Sequence, residues 1–296
     1  MNYVLTGSIG HISKPLAQTL IAAGHSVKIV TSKTDRVAEI EKLGATAAVG
    51  SVEDQAFVNS AFAGADAVYL MIPPNFAAPD FKAYQHKVAD GYTAAIQQAG
   101  IKKVVVLSSI GAHMKKGAGP VDGLAYLEDK ISALNGVDAV FLRPSYFYYN
   151  LFGQINIIKH VGIVTSTQGA DQPLVLVHTD DIAVAAAERL LNMNFTGIQV
   201  QYIASDDTNN WQQVAAALGT AVNKPVPYVQ STDEQSLAGM LQAGVPPVMA
   251  NEYLTMGQAL RSGEMQADYW KNKPTQTGKI KLADFAAQFA AAYNAG

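Results

Sequence analysis

Tyr3-Val4-Leu5-Thr6-Gly7-Ser8-Ile9-Gly10-His11-Ile12-Ser13 reads as an apolar strand that turns through two glycines into a helix. The strand reading rests on Tyr3 to Thr6. Beyond the turn, Leu16 to Ala23 carries apolar residues at helical spacing, Gly24 ends that helix, and Ser26 to Val30 restarts a strand. This is a βαβ unit. The same alternation continues with a helix over Val37 to Leu43, a strand over Thr46 to Val49, a helix over Gln55 to Phe62 and a strand over Ala67 to Met71, closed by Pro73 and Pro74. A long helix from Phe81 to Ala99 leads into Lys103 to Ser108, an apolar run of the kind buried in a parallel sheet. A helix over Leu124 to Leu134 and a strand over Ala139 to Leu142 complete the series. Strands and helices alternating in this way predict an α/β fold, a Rossmann-like doubly wound parallel sheet whose ligands bind beyond the carboxyl ends of the strands.

After Asn150 the pattern changes. Helices at Asp181 to Leu191, Trp211 to Ala221 and Asp233 to Leu241 mix with isolated strands at Leu174 to Val177 and Val200 to Ile203, and an alanine-rich terminal helix spans Phe285 to Tyr293. The expected division is a nucleotide-binding Rossmann domain over residues 1–150 and a smaller, interleaved α+β domain over 151–296, a substrate or lid domain. The Val175 and Val200 strands are expected to rejoin the main sheet.

The composition narrows the function classes. Of 296 residues 49% are hydrophobic, enough for a large core, and a net charge of −3 offers no field for phosphodiester backbones or anionic lipid. Nucleic acid and membrane are therefore poor partners, and a small polar ligand fits better. Without cysteine there is no disulfide, thiolate nucleophile or cysteine metal site. The first residues run straight into a strand and no apolar run reaches the length of a membrane span, so a soluble, cytoplasmic protein is expected.

The glycine turn carries the clearest chemistry. A dinucleotide pyrophosphate is bound by exposed backbone N–H groups at the positive end of a helix dipole, which needs a turn free of side chains. Gly7 can take the tight turn and Gly10 lets the backbone approach the phosphates; Ser13 stands at the third position of the usual glycine spacing, and Pro15 places the helix start near Ile12 or Ser13. The alternative is a plain βα turn that needs glycine only for geometry. Strand two ends Thr31-Ser32-Lys33-Thr34 with no carboxylate before Asp35. Ser32 and Lys33 can meet a 2′-phosphate, so NADP(H) is favoured, with NAD(H) left open and Lys33 otherwise a solvated loop lysine.

Several segments together resemble the NmrA-like branch of the atypical short-chain dehydrogenase/reductases. They are Thr6 to Ile12, Gly64-Ala65-Asp66-Ala67-Val68 leading to Met71-Ile72-Pro73-Pro74, Ala99 to Lys103 running into Leu107-Ser108-Ser109, and Leu142-Arg143-Pro144-Ser145-Tyr146-Phe147-Tyr148-Tyr149-Asn150. Thr179 to Ala183 continues the resemblance, and Ala243-Gly244-Val245-Pro246 looks like the triphenylmethane-reductase and quinone-reductase members. The resemblance implies an NADP(H) protein that reduces a small, often aromatic or quinoid molecule, or one that senses nucleotide redox state through a protein partner. It implies that Gly7, Ser8, Ile9, Gly10, His11 and Ile12 hold the pyrophosphate, Ser32 and Lys33 the adenosine phosphate, Met71, Ile72 and Pro73 flank the cofactor's centre, and Ser145, Tyr146 and Phe147 lie by the nicotinamide. Many relatives have arginine at Ser32 and aspartate at Ser51.

No catalytic residue is assigned. Tyr126 and Lys130 match the Y-x-x-x-K spacing in which a lysine lowers a tyrosine pKa for proton transfer. Aligning Glu128 with the family's helix glutamate, however, moves the expected tyrosine and lysine positions to Pro120 and Leu124, six residues out of register. The pair then faces another side of the helix. His11 can cap the helix, His113 follows strand five, Ser108 and Ser109 end it, and the Tyr146 to Tyr149 cluster can stack on a flat ring or fill core. The six histidines form no metal spacing. The sequence thus favours an NADPH-dependent reductase of a small quinoid or aromatic acceptor, with a non-enzymatic redox sensor as its rival.

Overall fold

In the computed structural model, which describes residues 1–295, the strand that opens the chain, β1 (Asn2–Leu5), lies inside a seven-stranded sheet. The alternation continues through α1 (Ser13–Ala22), β2 (Ser26–Thr31), α2 (Val37–Lys42), β3 (Thr46–Val49), α3 (Gln55–Phe62), β4 (Ala67–Leu70), α4 (Phe81–Ala99), β5 (Lys103–Leu107), α5 (Val121–Ser132) and β6 (Asp138–Pro144). Then come β7 (Tyr146–Phe147), α6 (Gln154–His160), β8 (Val164–Ser166), β9 (Leu174–Val177), α7 (Thr179–Asn192) and β10 (Ile198–Ile203). The chain closes with β11 (Asp206–Asn209), α8 (Trp211–Ala221), β12 (Tyr228–Gln230), α9 (Asp233–Gln242), α10 (Pro247–Arg261), α11 (Glu264–Lys271) and α12 (Leu282–Ala295).

The large sheet has the order β10-β6-β5-β4-β1-β2-β3. β1 pairs in parallel with both β2 and β4, and the direction of winding reverses beside it. That reversal is where an open α/β sheet leaves a crevice at its strand ends. β4 is buried along its whole length and β5 through Val104, Val105 and Val106, as expected where helices cover both faces. The helices are bounded by ordinary signals. Asp54 accepts from the Ala56 and Phe57 N–H groups to start α3, Asp80 caps α4 through the Ala83 N–H, and Gly100 ends α4 at φ +68°.

The chain divides into two compact units that alternate along the sequence. The first comprises Met1–Ser109, Asp122–Arg143 and Ile182–Gln201; the second comprises Ile110–Val121, Pro144–Asp181 and the chain from Tyr202 onward. In the first unit, the Ala139 N–H donates to the Gly197 carbonyl (2.9 Å) where β10 extends the sheet, and the Tyr3 hydroxyl donates to the Leu190 carbonyl (2.8 Å). The Val200 strand therefore does rejoin the main sheet. The Val175 strand does not: β9 sits in a three-stranded sheet of order β11-β9-β7, parallel to β7 and antiparallel to β11. Its four residues are all buried, so its apolar run is satisfied by either sheet and did not reveal which one holds it. β8 and β12 form a separate parallel pair. The second unit's core is aromatic, with the Tyr148 and Phe285 rings stacked at 5.1 Å and Trp211 stacked on Tyr228 at 5.8 Å.

Candidate functional site

The first unit's strand ends are held by hydroxyl groups. Gly7 and Ser8 both take left-handed backbone conformations, φ +93° and +54°. The Ser8 N–H donates to the Val30 carbonyl (3.0 Å) and its hydroxyl to Thr31 Oγ1 (3.0 Å), fixing the turn to the end of β2. A Cβ on Gly7 would stand 2.8 Å from both Met71 Cγ and Ser13 Oγ, so glycine is required there by the packing as well as by the backbone. Ser13, at the third position of the glycine spacing, donates its hydroxyl to the Thr6 carbonyl (3.0 Å). A glycine could not make that bond. α1 opens from Ile12 with no side-chain cap, leaving backbone donors at its positive end.

Across the turn, the exit of β4 is pinned from two sides. Thr6 Oγ1 accepts from the Met71 N–H (2.7 Å) and the Tyr92 hydroxyl donates to the Met71 carbonyl (3.0 Å). Pro73 and Pro74 have no N–H to offer, and the Tyr84 hydroxyl secures this stretch by donating to the Pro73 carbonyl (2.7 Å). Burial pushes the Tyr84 phenol up to about 12, with the negative charge of Glu53 adding to it. It stays protonated as a donor at neutral pH.

These ends enclose a cleft of about 420 Å³. Of the residues expected at a cofactor site, Gly7, Ser8, Ser32, Met71 and Pro73 line it together. Ile12 and Ile72 are buried, and Gly10, His11 and Lys33 are exposed and not on its wall. Ile9, half-buried, is also off the wall. Sequence reasoning missed Thr31, Glu53, Asn75 and Tyr84, which line the same space together with Ser51, a position noted only as a departure from the family's aspartate. Thr31 was within reach as the last residue of an apolar strand; the others come together only through the fold.

Ser145, Tyr146 and Phe147 belong to the second unit. Ser145 is buried, with its N–H on the Ile203 carbonyl (3.0 Å), and half-buried Tyr146 meets Trp211 edge to face at 5.9 Å. Burial pushes the Tyr146 phenol up to about 12. Tyr148 is core, whereas Tyr149 is exposed.

Tyr126 and Lys130 are occupied by α4. The Tyr126 hydroxyl donates to Asp90 (3.1 Å), Lys130 pairs with the same carboxylate (2.8 Å), and the Tyr126 ring stacks on His86 at 3.9 Å. Asp90 holds the Lys130 amine above its ordinary pKa and neutralises the positive charge with which a lysine would lower a tyrosine pKa. Ser108 is also engaged. Its hydroxyl donates to Glu128 Oε1 (2.5 Å), and the same buried carboxylate takes a two-point contact from Arg143 Nε (3.0 Å) and Nη2 (2.6 Å). The serine at the end of β5 completes a buried ion pair.

Among the described residues no group of three or more His, Cys, Asp or Glu side chains could hold a metal, and no helix is long and apolar enough to cross a membrane.

A doubly wound sheet with a glycine turn and a cleft at its reversal point defines a Rossmann-like α/β protein. The chain belongs to the NmrA-like family, whose sequence model matches residues 3–269. It is 25% identical over 296 residues to the NAD(P)H azoreductase of Xenophilus azovorans, covering 99% of each chain. Among solved structures it resembles the NADPH-dependent quinone oxidoreductase of Escherichia coli complexed with NADPH, with a TM-score of 0.81 and 19% identity over 97% of this chain and 99% of that one. The Citrobacter sp. triphenylmethane reductase complexed with NADP(H) gives a TM-score of 0.78 and 16% identity over 98% of this chain and 100% of that one.

Proposed function

We propose that this protein is an NADP(H)-dependent reductase that transfers hydride from NADPH to a small quinoid or aromatic acceptor. The observation that carries the reading is the cleft at the sheet's reversal point, walled by Gly7, Ser8, Ser32, Met71 and Pro73. The relatives named for azo, quinone and triphenylmethane reduction support the reaction class. The residues present fit the cofactor. The side-chain-free turn at Gly7 and the uncapped start of α1 suit a pyrophosphate, which the stretch from Gly7 to Ile12, including Ser8, Ile9, Gly10 and His11, would hold. Ser32 and Lys33 would take the 2′-phosphate, with NAD(H) as the lesser cofactor. Met71, Ile72 and Pro73 would flank the centre of the dinucleotide, and Ser145, Tyr146 and Phe147 would lie by the nicotinamide.

When bound, NADPH supplies two electrons as hydride, and a quinone gains these and one proton from water to become a hydroquinone. The chain's part is to orient and enclose the reactants. Held carbonyls at Met71 and Pro73 keep the wall of the cleft in one position, and orientation alone can lower a barrier greatly. No side-chain acid is assigned to the step. Steady-state NADPH oxidation with a panel of quinones and azo dyes tests the reading. Turnover with at least one acceptor is expected; tight nucleotide binding without turnover would instead favour the redox sensor and its protein partner.

A further inference from the structure

We propose that Glu53 sets the discrimination between NADPH and NADH. This rests on the reading that a dinucleotide occupies the cleft, and it adds a residue for which neither the glycine spacing nor the end of β2 gave any sign.

Among the described residues lining the cleft, Glu53 is the one that carries a charge. Its place follows from the sheet. β2 and β3 run in parallel with Thr31 opposite Val49, and the Gly50 N–H donates to the Thr31 carbonyl (2.9 Å), so the Ser51 to Glu53 turn lies against the Thr31 end of β2. The Phe57 ring fills the space a side chain at Gly50 would need, and the Glu53 N–H donates to Ser51 Oγ (3.2 Å). The turn is therefore packed in place beside the stretch expected to receive the ribose phosphate.

The carboxylate is only loosely neutralised. Lys87 Nζ stands 3.6 Å away, beyond hydrogen-bond length, and the two side chains are 61% and 36% exposed. Exposed pairs of this kind contribute little and exchange readily with water. The charge of Glu53 reaches the cleft wall, since it adds to the effect of burial on the Tyr84 phenol. NADPH and NADH differ by a single 2′-phosphate, which brings a charge of nearly −2. A carboxylate on the wall opposes that group, and the exposed Lys33, off the wall, favours it. Cofactor preference is the balance of the two.

The test is a fluorescence titration of NADPH and NADH against the unmodified protein, Glu53→Gln, Glu53→Ala and Lys87→Met, at low and at high salt. Both Glu53 variants should bind NADPH about three- to tenfold more tightly at low salt while NADH moves by no more than about twofold, and the gain should shrink as salt rises. Agreement between glutamine and alanine shows that the charge, rather than an amide contact, is responsible. Lys87→Met should shift the ratio the opposite way. If the protein binds both nucleotides and the Glu53 variants leave their ratio unchanged, or tighten both equally, Glu53 has no discriminating role. If the unmodified protein binds neither, the nucleotide reading itself falls and this proposal with it.

Discussion

The start of α1 in the first unit and the start of α8 in the second solve the same problem in different ways. Each leaves backbone N–H groups without partners inside the helix. At α8 the Asn210 side chain accepts from the Gln213 N–H, and the Gln213 side chain accepts from the Asn210 N–H, a reciprocal cap also present at Thr232 and Gln235 of α9. At α1 the preceding residue is Ile12, which has no side-chain oxygen to offer, and the turn before it holds two glycines. A helix that only has to be stable carries its own cap. The uncapped start of α1 is what the proposed pyrophosphate site requires.

Breaking the open end should have the largest effect. Gly10→Val places a branched side chain on the exposed face of the turn, where its Cβ meets little except the Gly7 carbonyl at 3.2 Å. NADPH binding should weaken by at least about 100-fold while the melting temperature changes little. Calorimetry that finds affinity retained would remove the turn from the site. Next in size is Lys33→Ala, which should weaken NADPH about tenfold and leave NADH nearly unaltered, most clearly at low ionic strength. Equal weakening of both nucleotides would make Lys33 a bystander.

The closed end gives a contrasting result. Asn210→Ala should cost about 1 kcal/mol of stability in denaturant titration and leave nucleotide affinity unaltered, since it removes a cap and no ligand contact. A change in NADPH affinity would show that the two helix starts are not independent. The smallest effect is expected at Tyr126, which is committed to Asp90. Tyr126→Phe should keep reductase turnover within about threefold, against the loss of about 100-fold or more that removing a general acid brings. A loss of that larger size would restore the tyrosine to the chemistry.

The same contrast explains what the sequence revealed. β1 to β6 are legible because each apolar strand is followed by a helix of the right period within a few residues, and the glycine turn is legible because its backbone needs are local. The second unit draws on partners far apart in the chain. β11 is Asp206-Asp207-Thr208-Asn209, with no apolar pattern to mark it, and β7 is only two residues long. α10 and α11 follow the Ala243 to Pro246 family motif, and the sequence reading gives no element for them. Of the residues on the cleft wall, Gly7, Ser8, Ser32, Met71 and Pro73 are among those expected from the sequence, whereas Glu53 and Tyr84 are not. Glu53 looks like any charge in a polar turn, and the role of the Tyr84 hydroxyl depends on a carbonyl eleven residues earlier, at a proline.

The return of the chain from the second unit to the sheet has a consequence for synthesis. β10 borders β6, yet Pro144 to Asp181 is spent in the second unit before α7 and β10 come back. While the protein is being made, the outer edge of β6 therefore stays bare for a few seconds at about 5–20 residues per second. A bare edge is a template for pairing with another nascent chain. A fragment ending near Asn150 would keep that edge open permanently, so it should aggregate even though it holds the whole glycine turn.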